Sequence, residues 1–199
     1  MSTGKLEGSA RDRLLAAANE LFYEEGIHTV GIERVLERAG VAKASLYSTF
    51  GSKDELVRAY LRGRAERRQQ RISERLARSE DPRERILSIF DLLGELAADP
   101  AFRGCAFVNA RAEGPRETKV TRVCADMRAW LRGLFTELAR DTGAADPERL
   151  GAELVLIYDG ATVGASMDAD ASVARTARAL AALLIDGAAA PRKRARAKK

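Results

Sequence analysis

The chain has 199 residues, enough for one large domain or two small ones with a hydrophobic core. Apolar residues make up 46% of it while aromatic and β-branched residues are few, which favours a helical protein and argues against a sheet-based one. Residues 1–75 carry 14 Lys and Arg against 11 Asp and Glu, whereas residues 76–190 carry 14 Lys and Arg against 18 Asp and Glu. Residues 191–199 add six basic residues. The basic N-terminal part of the chain is therefore expected to bind a polyanionic partner.

The first predicted helix covers residues 9–25. Ser9 with Asp12 is typical of a capping box at its start, and Gly26 ends it. One face of this helix is apolar at helical spacing, and its members are Leu14, Leu15, Ala18, Leu21 and Phe22.

Two short helices follow. Thr29 is predicted to cap the first of them, and Gly40 ends it. The second begins after Val41 and stops at Gly51, with Leu46 and Phe50 as neighbours one turn apart on its inward face.

A long helix begins at the capping box of Ser52 and Glu55 and continues to about residue 75 through a strongly basic stretch. Two short helices joined by a tight turn, between two longer helices, have the spacing of a helix-turn-helix.

The rest of the sequence is also helical. Asp81-Pro82 and Asp146-Pro147 are typical helix starts, and further helices are predicted over 105–113, along the apolar stripe of 120–138, and over 172–186. We predict an all-α protein of about nine helices, with a helix-turn-helix domain at 9–55. A second helical domain at 80–190 follows the connecting helix, and the basic tail 191–199 is expected to be disordered.

The second short helix is predicted to read DNA. With its apolar side chains inward, small and polar side chains remain outward, where a helix in the major groove needs them. Lys53 and Thr29 lie at the starts of the flanking helices, where backbone N–H groups favour phosphate. A small three-helix core with a merely solvated face is the alternative. The predicted DNA-binding residues are Thr29, Lys43, Ala44, Ser45, Tyr47, Ser48, Thr49 and Lys53.

The sequence TVGIERVLERAGVAKASLYSTFGSKDELVRAYL, residues 29–61, closely resembles the DNA-binding segment of the TetR family of transcriptional regulators. The A-G-V turn, the L-Y-x-x-F helix and the following S-K-x-E-L carry the resemblance, together with LFYEEG at the end of the first helix. One departure is Ala42, where such segments often have Ser, so a side-chain cap and phosphate contact is missing. The resemblance implies a regulator that binds double-stranded operator DNA.

Dimerisation is expected through the last two helices, because a reader of this kind gains affinity by engaging two half-sites. Small residues among large apolar ones allow close helix approach, and the resemblance implies a four-helix bundle formed by two chains. The alternative is that both helices only complete the core of one chain. The predicted interface residues are Leu154, Tyr158, Ala161, Ala165, Leu180 and Leu184.

The middle helices are expected to bind a small-molecule effector, as the resemblance implies, and the effector must prefer the state that fits DNA poorly. Cys105, Asn109 and Glu113 share one helix stripe, which would supply polar groups to an apolar cavity if it faces inward and would be solvated surface if it faces outward. The alternative is that the aromatic residues only form part of the hydrophobic core and line no pocket. The predicted effector residues are Phe90, Cys105, Asn109, Glu113, Met127, Trp130 and Tyr158.

Catalysis, metal binding and a cofactor are not expected. His28 is the sole histidine, the two cysteines form no C-x-x-C motif, and no catalytic set or phosphate-binding loop occurs. The polar N-terminus and short apolar runs predict a cytoplasmic protein without a membrane partner.

With the family resemblance, the sequence predicts a homodimeric repressor that a small molecule releases from its operator. An architectural or effector-independent DNA-binding protein and a thiol-based redox sensor through Cys105 are the alternatives.

Overall fold

The computed structural model describes residues 8–113 and 119–188. Within these residues the chain forms nine α-helices and no strand, which confirms the all-α prediction. The helices are α1 (Ala10–Glu25), α2 (Ile32–Ala39), α3 (Lys43–Phe50), α4 (Lys53–Leu76), α5 (Pro82–Ala97), α6 (Ala106–Glu113), α7 (Lys119–Asp141), α8 (Pro147–Asp168) and α9 (Ser172–Ala188). The basic tail at 191–199 lies outside the described residues.

Polar side chains fix the starts of three helices as the sequence predicts. At α1 the Ser9 hydroxyl accepts the Asp12 N–H at 3.2 Å, and the Asp12 carboxylate accepts the Ser9 N–H and O–H in return. Asp81 and Asp146 cap α5 and α8, each followed by a proline at the first helical position. These caps satisfy N–H groups that have no partner inside the helix.

The start of α2 differs from the prediction. Thr29 does not cap this helix, because α2 begins at Ile32 and its N-cap residue is Gly31, which makes no side-chain cap. Thr29 is instead an exposed residue of the turn between α1 and α2. The turn is thus longer than the prediction allowed.

By packing, the described chain divides into two compact units. Unit 1 contains residues 8–70 and the described residues of 103–128, and unit 2 contains residues 71–102 and 129–188. The helices α4 and α7 each contribute residues to both units. The helix α6 therefore packs with the helix-turn-helix part, although it lies in the segment 80–190 that the sequence assigns to a second domain.

Unit 1 is centred on apolar side chains that face one another across α1, α2, α3 and α4. Leu14, Leu46 and Leu61 are fully buried there. The rings of Phe22 and Tyr60 meet edge to face with centroids 5.6 Å apart. Burial raises the pKa of Tyr60 to about 12, so its phenol stays neutral in this core.

Unit 2 has an aromatic centre. The rings of Phe90, Phe135 and Tyr158 lie 5.9–6.1 Å apart, each pair tilted or edge to face, and all three side chains are buried. Aliphatic residues from α5, α7, α8 and α9 surround them. Phe90 and Tyr158 were predicted as effector residues, and here they contribute to a packed core.

One close helix contact in unit 2 depends on a glycine. A Cβ atom at Gly151 of α8 would lie 2.7–2.9 Å from the Thr136 side chain and from the Cα and N atoms of Thr136 on α7. The absence of a side chain at Gly151 is therefore what lets the two helices approach at this point.

Candidate nucleic-acid interface

The short helix α3 is held by few side chains. Leu46 is fully buried, while Val41 and Phe50 are partly buried beside it. The helix ends at Gly51, whose φ of 79° is unfavourable for a residue with a side chain. At the other end, the N-cap residue Ala42 makes no side-chain hydrogen bond, as the sequence predicts. The first N–H groups of α3 therefore remain without a side-chain acceptor.

The outward face of α3 carries most of the predicted DNA-binding residues. The aromatic side chain of Tyr47 is 49% exposed. Lys43, Ala44, Ser48 and Thr49 are also exposed, and Ser45 is partly buried. The structure thus brings these six residues together on one accessible surface, which we call the α3 face.

Two hydroxyl groups of the α3 face bond to the helix itself. Ser48 and Thr49 both donate to the Ser45 carbonyl, at 3.1 and 2.6 Å. In this arrangement the hydroxyl protons are used inside the helix and the oxygen lone pairs point outward as acceptors. Such oxygens can accept a hydrogen bond from the amino group of an adenine or a cytosine in the major groove.

Lys43 has a carboxylate neighbour that the sequence analysis did not consider. Its ammonium nitrogen lies 3.4 Å from a Glu33 carboxylate oxygen, and both side chains are mostly exposed. An exposed pair of this kind contributes little to stability. Breaking this pair would therefore cost little stability, and the DNA contact expected for Lys43 stays a prediction.

Lys53 is engaged inside unit 1. Its ammonium group donates to the carbonyl oxygens of Ile27 and Val30 at 2.7 and 2.6 Å and lies 5.8 Å from the centre of the Phe22 ring. Two of its three N–H groups thus hold the α1–α2 turn. The phosphate contact expected for Lys53, like that of Thr29, stays a prediction.

Arg11 is a basic residue at this surface that the sequence analysis missed. It is exposed on the first turn of α1, and its guanidinium lies 5.8 Å from the centre of the Phe50 ring, at the end of α3. Helical periodicity carries no signal for such a contact, because the two residues are far apart in sequence.

The predicted effector residues fall in both units, and their role in binding a ligand stays a prediction. Phe90, Trp130 and Tyr158 belong to unit 2, whereas Cys105, Asn109, Glu113 and Met127 belong to unit 1. In unit 1, the Asn109 amide donates to the Arg103 carbonyl at 3.0 Å and Glu113 accepts the His28 N–H at 2.8 Å. These two polar side chains therefore bond to the protein itself.

The cysteines lie in unit 1. The Cys105 sulfur is partly buried and lies 3.5 Å from a guanidinium nitrogen of Arg68. Burial raises the pKa of the Cys124 thiol to about 11, and the neighbouring Cys105 adds to the rise. Cys124 is thus a protonated core residue at neutral pH. Thiol sensing through Cys105 stays a prediction.

The predicted dimer residues are mostly buried inside unit 2. Leu154, Tyr158, Ala161 and Ala165 are 0–5% exposed, because they face the core of their own chain, and Leu184 packs partly against it. These four side chains are therefore not on an exposed face of α8, and their part in a dimer interface stays a prediction. The exposed stripe of α8 lies on the other side of the helix, and of the predicted set Leu180 on α9 is exposed. The exposed apolar and small residues at helical spacing are Ala152, Leu156, Gly160, Val163 and Met167 on α8, and Ala179, Leu180, Leu183 and Gly187 on α9.

Two other kinds of feature are absent from the described residues. Among the described residues, no group of three His, Cys, Asp or Glu side chains is placed to hold a metal ion. None of the helices within 8–113 and 119–188 combines the length and apolarity of a membrane span.

Comparison with known proteins connects this surface with a family. The profile "Bacterial regulatory proteins, tetR family" matches residues 14–60, which includes α2 and α3. Among curated proteins, the HTH-type transcriptional activator FasR of Mycolicibacterium smegmatis is 28% identical over 134 residues, 67% of this chain and 60% of FasR. The chain spans 46–60% of the length of the first curated relatives that it matches.

Solved structures extend the similarity over nearly the whole chain. A TetR-family transcriptional regulator from Streptomyces coelicolor is 32% identical with a TM-score of 0.86, and the match covers 91% of this chain and 96% of that one. A candidate TetR-type regulator from Streptomyces avermitilis is 35% identical with a TM-score of 0.79, covering 91% and 98%. With the helix-turn-helix of α2 and α3 and this similarity over both units, the chain belongs to the TetR family of bacterial regulatory proteins.

Proposed function

We propose that the chain is a homodimeric transcriptional repressor that binds operator DNA through the α3 face and is released by a small-molecule effector. The observation that carries the DNA-binding part is the α3 face itself. A short helix anchored by Leu46 presents Lys43, Tyr47 and Ser48 to solvent, and its bulky apolar residues face inward. A helix inserted in the major groove needs this distribution.

The surroundings of α3 support the same function. The basic side chain of Lys43 lies at the start of α3 and that of Arg11 near its end, and the N-terminal N–H groups of α3 have no side-chain cap. Phosphate contacts from such groups position a DNA-binding protein on the duplex, while the side chains of the helix contact base edges. Similarity to regulators over both units adds to this support.

Homodimerisation is proposed through the exposed stripes of α8 and α9. Leu156, Met167 and Leu183 are 69–79% exposed, and soluble monomers rarely expose large apolar side chains in a contiguous patch. Gly160 and Gly187 have no atom within 4 Å of an added Cβ, so no contact inside the chain requires a glycine at either position. A second α8–α9 pair packed against these stripes would form a four-helix bundle.

Tyr47→Ala is expected to weaken specific DNA binding by about tenfold or more, because one good base contact contributes about 1–3 kcal/mol of discrimination. The fold should stay intact, since the Tyr47 side chain is half exposed. The measurement is fluorescence polarisation with a duplex that the wild-type chain enriches from a random pool. Tyr47→Phe is the matched control for the hydroxyl. Equal affinities of Tyr47→Ala and wild type at moderate salt would refute this role.

Lys53→Met and Lys43→Met should behave differently although each removes one lysine charge. Lys53→Met is expected to lower the free energy of unfolding by about 2 kcal/mol, because two carbonyl oxygens of the α1–α2 turn lose a charged donor. Lys43→Met should leave stability unchanged and weaken DNA binding. Urea unfolding and polarisation on the same samples separate the two effects. Wild-type stability of Lys53→Met would contradict the turn-holding role.

A further inference from the structure

The C-terminal end of α6 and the segment that precedes α6 both contact the α1–α2 region, within unit 1. This contact is unexpected from sequence, because α6 follows the α1–α2 turn by more than 70 residues. Its described contacts are specific hydrogen bonds to backbone groups, so its position can affect the conformation of the turn from which α2 begins.

At the C-terminal end of α6, the Glu113 carboxylate lies on the turn. It accepts the backbone N–H of His28 at 2.8 Å. Both carboxylate oxygens are 3.2 Å from the position that a Cβ atom would occupy at Gly26, where the backbone has a φ of 94°. A side chain at Gly26 would therefore force the carboxylate away as well as strain the backbone.

At the N-terminal end, the hydroxyl group of Tyr23 joins α1 to the segment that precedes α6. It donates to the Gly104 carbonyl at 3.0 Å and accepts the Arg103 N–H at 2.9 Å. From α6 itself, the Asn109 side-chain amide donates to the Arg103 carbonyl of this segment. The Arg64 guanidinium lies 3.6 Å from the centre of the Tyr23 ring, which fixes the ring against α4.

The α1–α2 turn is held from a second helix as well. Lys53 at the start of α4 donates to the carbonyl oxygens of Ile27 and Val30, while Glu113 of α6 accepts the N–H of His28 between them. A cation thus binds the carbonyl groups of the turn and an anion binds its amide. The conformation of residues 26–31 depends on both.

We propose that Glu113 is a positioning residue for operator binding: its carboxylate fixes the α1–α2 turn, and through α2 it sets the orientation of the α3 face. This inference rests on the proposed function of that face. Glu113 itself does not contact DNA in this scheme. Loss of its carboxylate should loosen the turn and leave the charge and side chains of the α3 face unchanged.

The test compares Glu113→Ala with Glu113→Gln in the full-length chain. Gln keeps an acceptor oxygen for the His28 N–H, so it should restore what Ala loses. Glu24→Ala is the matched control, since Glu24 is an exposed carboxylate at the end of α1. Tyr23→Phe is an independent variant that removes the hydrogen bonds to the segment that precedes α6. Hydrogen exchange of the residue 26–31 amides is measured without DNA. Polarisation then gives the affinities for the selected duplex and for a scrambled duplex.

We expect amide exchange in the turn to rise about tenfold or more in Glu113→Ala and to return towards wild type in Glu113→Gln. Affinity for the selected duplex should fall by about tenfold while scrambled-duplex affinity is unchanged, a separation that simple unfolding of unit 1 would not produce. Unchanged exchange in Glu113→Ala, or altered exchange with wild-type specific affinity, would overturn the inference. Failure of the wild-type chain to enrich any duplex would instead refute the proposed function, and the exchange data alone would then decide whether Glu113 holds the turn.

Discussion

Gly151→Ala is expected to destabilise unit 2 by about 3 kcal/mol, because the new methyl group would overlap α7. The three nearest atoms lie 2.7–2.9 Å from the Cβ position, and two of them are the backbone Cα and N atoms of Thr136. Backbone atoms in a packed helix cannot move aside as the end of a flexible side chain can. Trimming the neighbour in a Gly151→Ala/Thr136→Ala double variant should therefore restore little of the lost stability.

The matched control for this substitution is Gly133→Ala in α7. Gly133 is also helical, but an added Cβ there meets no atom within 4 Å. This variant should gain about 1 kcal/mol, because alanine favours the helix more than glycine does. Urea unfolding of both variants measures the difference. A Gly151→Ala protein that unfolds at the wild-type midpoint would show that α7 and α8 do not pack as closely as described.

Leu156→Glu combined with Leu183→Glu is expected to convert a dimer into folded monomers and to lower operator affinity by about a hundredfold. Both side chains are about 70% exposed, so the charges should cost the monomer little. In a four-helix bundle between two chains the same charges would be buried without partners. Operator affinity falls because two linked DNA-binding domains bind two half-sites far more tightly than one domain binds one half-site.

Sedimentation or light scattering gives the mass, and polarisation gives the affinity. Ala129→Glu is the control, since it adds a negative charge at another exposed position of unit 2. Leu154→Ala is a further comparison, because a fully buried residue should reduce stability rather than association. A wild-type chain that is monomeric at micromolar concentration, or a double variant that remains dimeric, would contradict the proposed interface.

Sequence alone predicted the features that depend on near neighbours in the chain. The capping residues Ser9, Asp81 and Asp146 act within three residues of their partners, and Gly51 ends α3 through its own backbone conformation. The missing cap at Ala42 is equally local. Such interactions can be read from the sequence because no tertiary structure is needed to bring the groups together.

The start of α2 was mispredicted for a physical reason. Thr is a favourable cap, but glycine is also accepted at that position, and here the longer turn places Gly31 there. The carbonyl groups that Lys53 holds belong to this turn. A tertiary contact thus overrode the local preference.

Periodicity could not predict which side of α8 is buried and which is exposed. Apolar and small residues occur around nearly the whole helix, so both Leu154 and Leu156 fit a 3.6-residue period. Only the positions of α5, α7 and α9 decide that Leu154 is core and Leu156 is surface. A helix that is apolar on all sides carries no directional signal of its own.

Contacts between distant segments were likewise inaccessible from the sequence. Glu113 was assigned to a ligand stripe because of its spacing from Cys105 and Asn109, which correctly placed all three along one helix or at its start. The spacing could not show that the Glu113 carboxylate meets the amide of His28, 85 positions earlier. Such a pair depends on the fold.

Because α3 has one buried residue, its exposed positions can change in evolution with little effect on folding. Leu46 is the one buried residue of that helix, so folding places few demands on the exposed positions 43, 44, 47 and 48. Surface substitutions of this kind usually change stability by less than about 0.5 kcal/mol. With the DNA-binding role proposed for the α3 face, a duplicated copy of the gene could therefore acquire a different operator preference through a few changes at these positions, without compensating changes in the core.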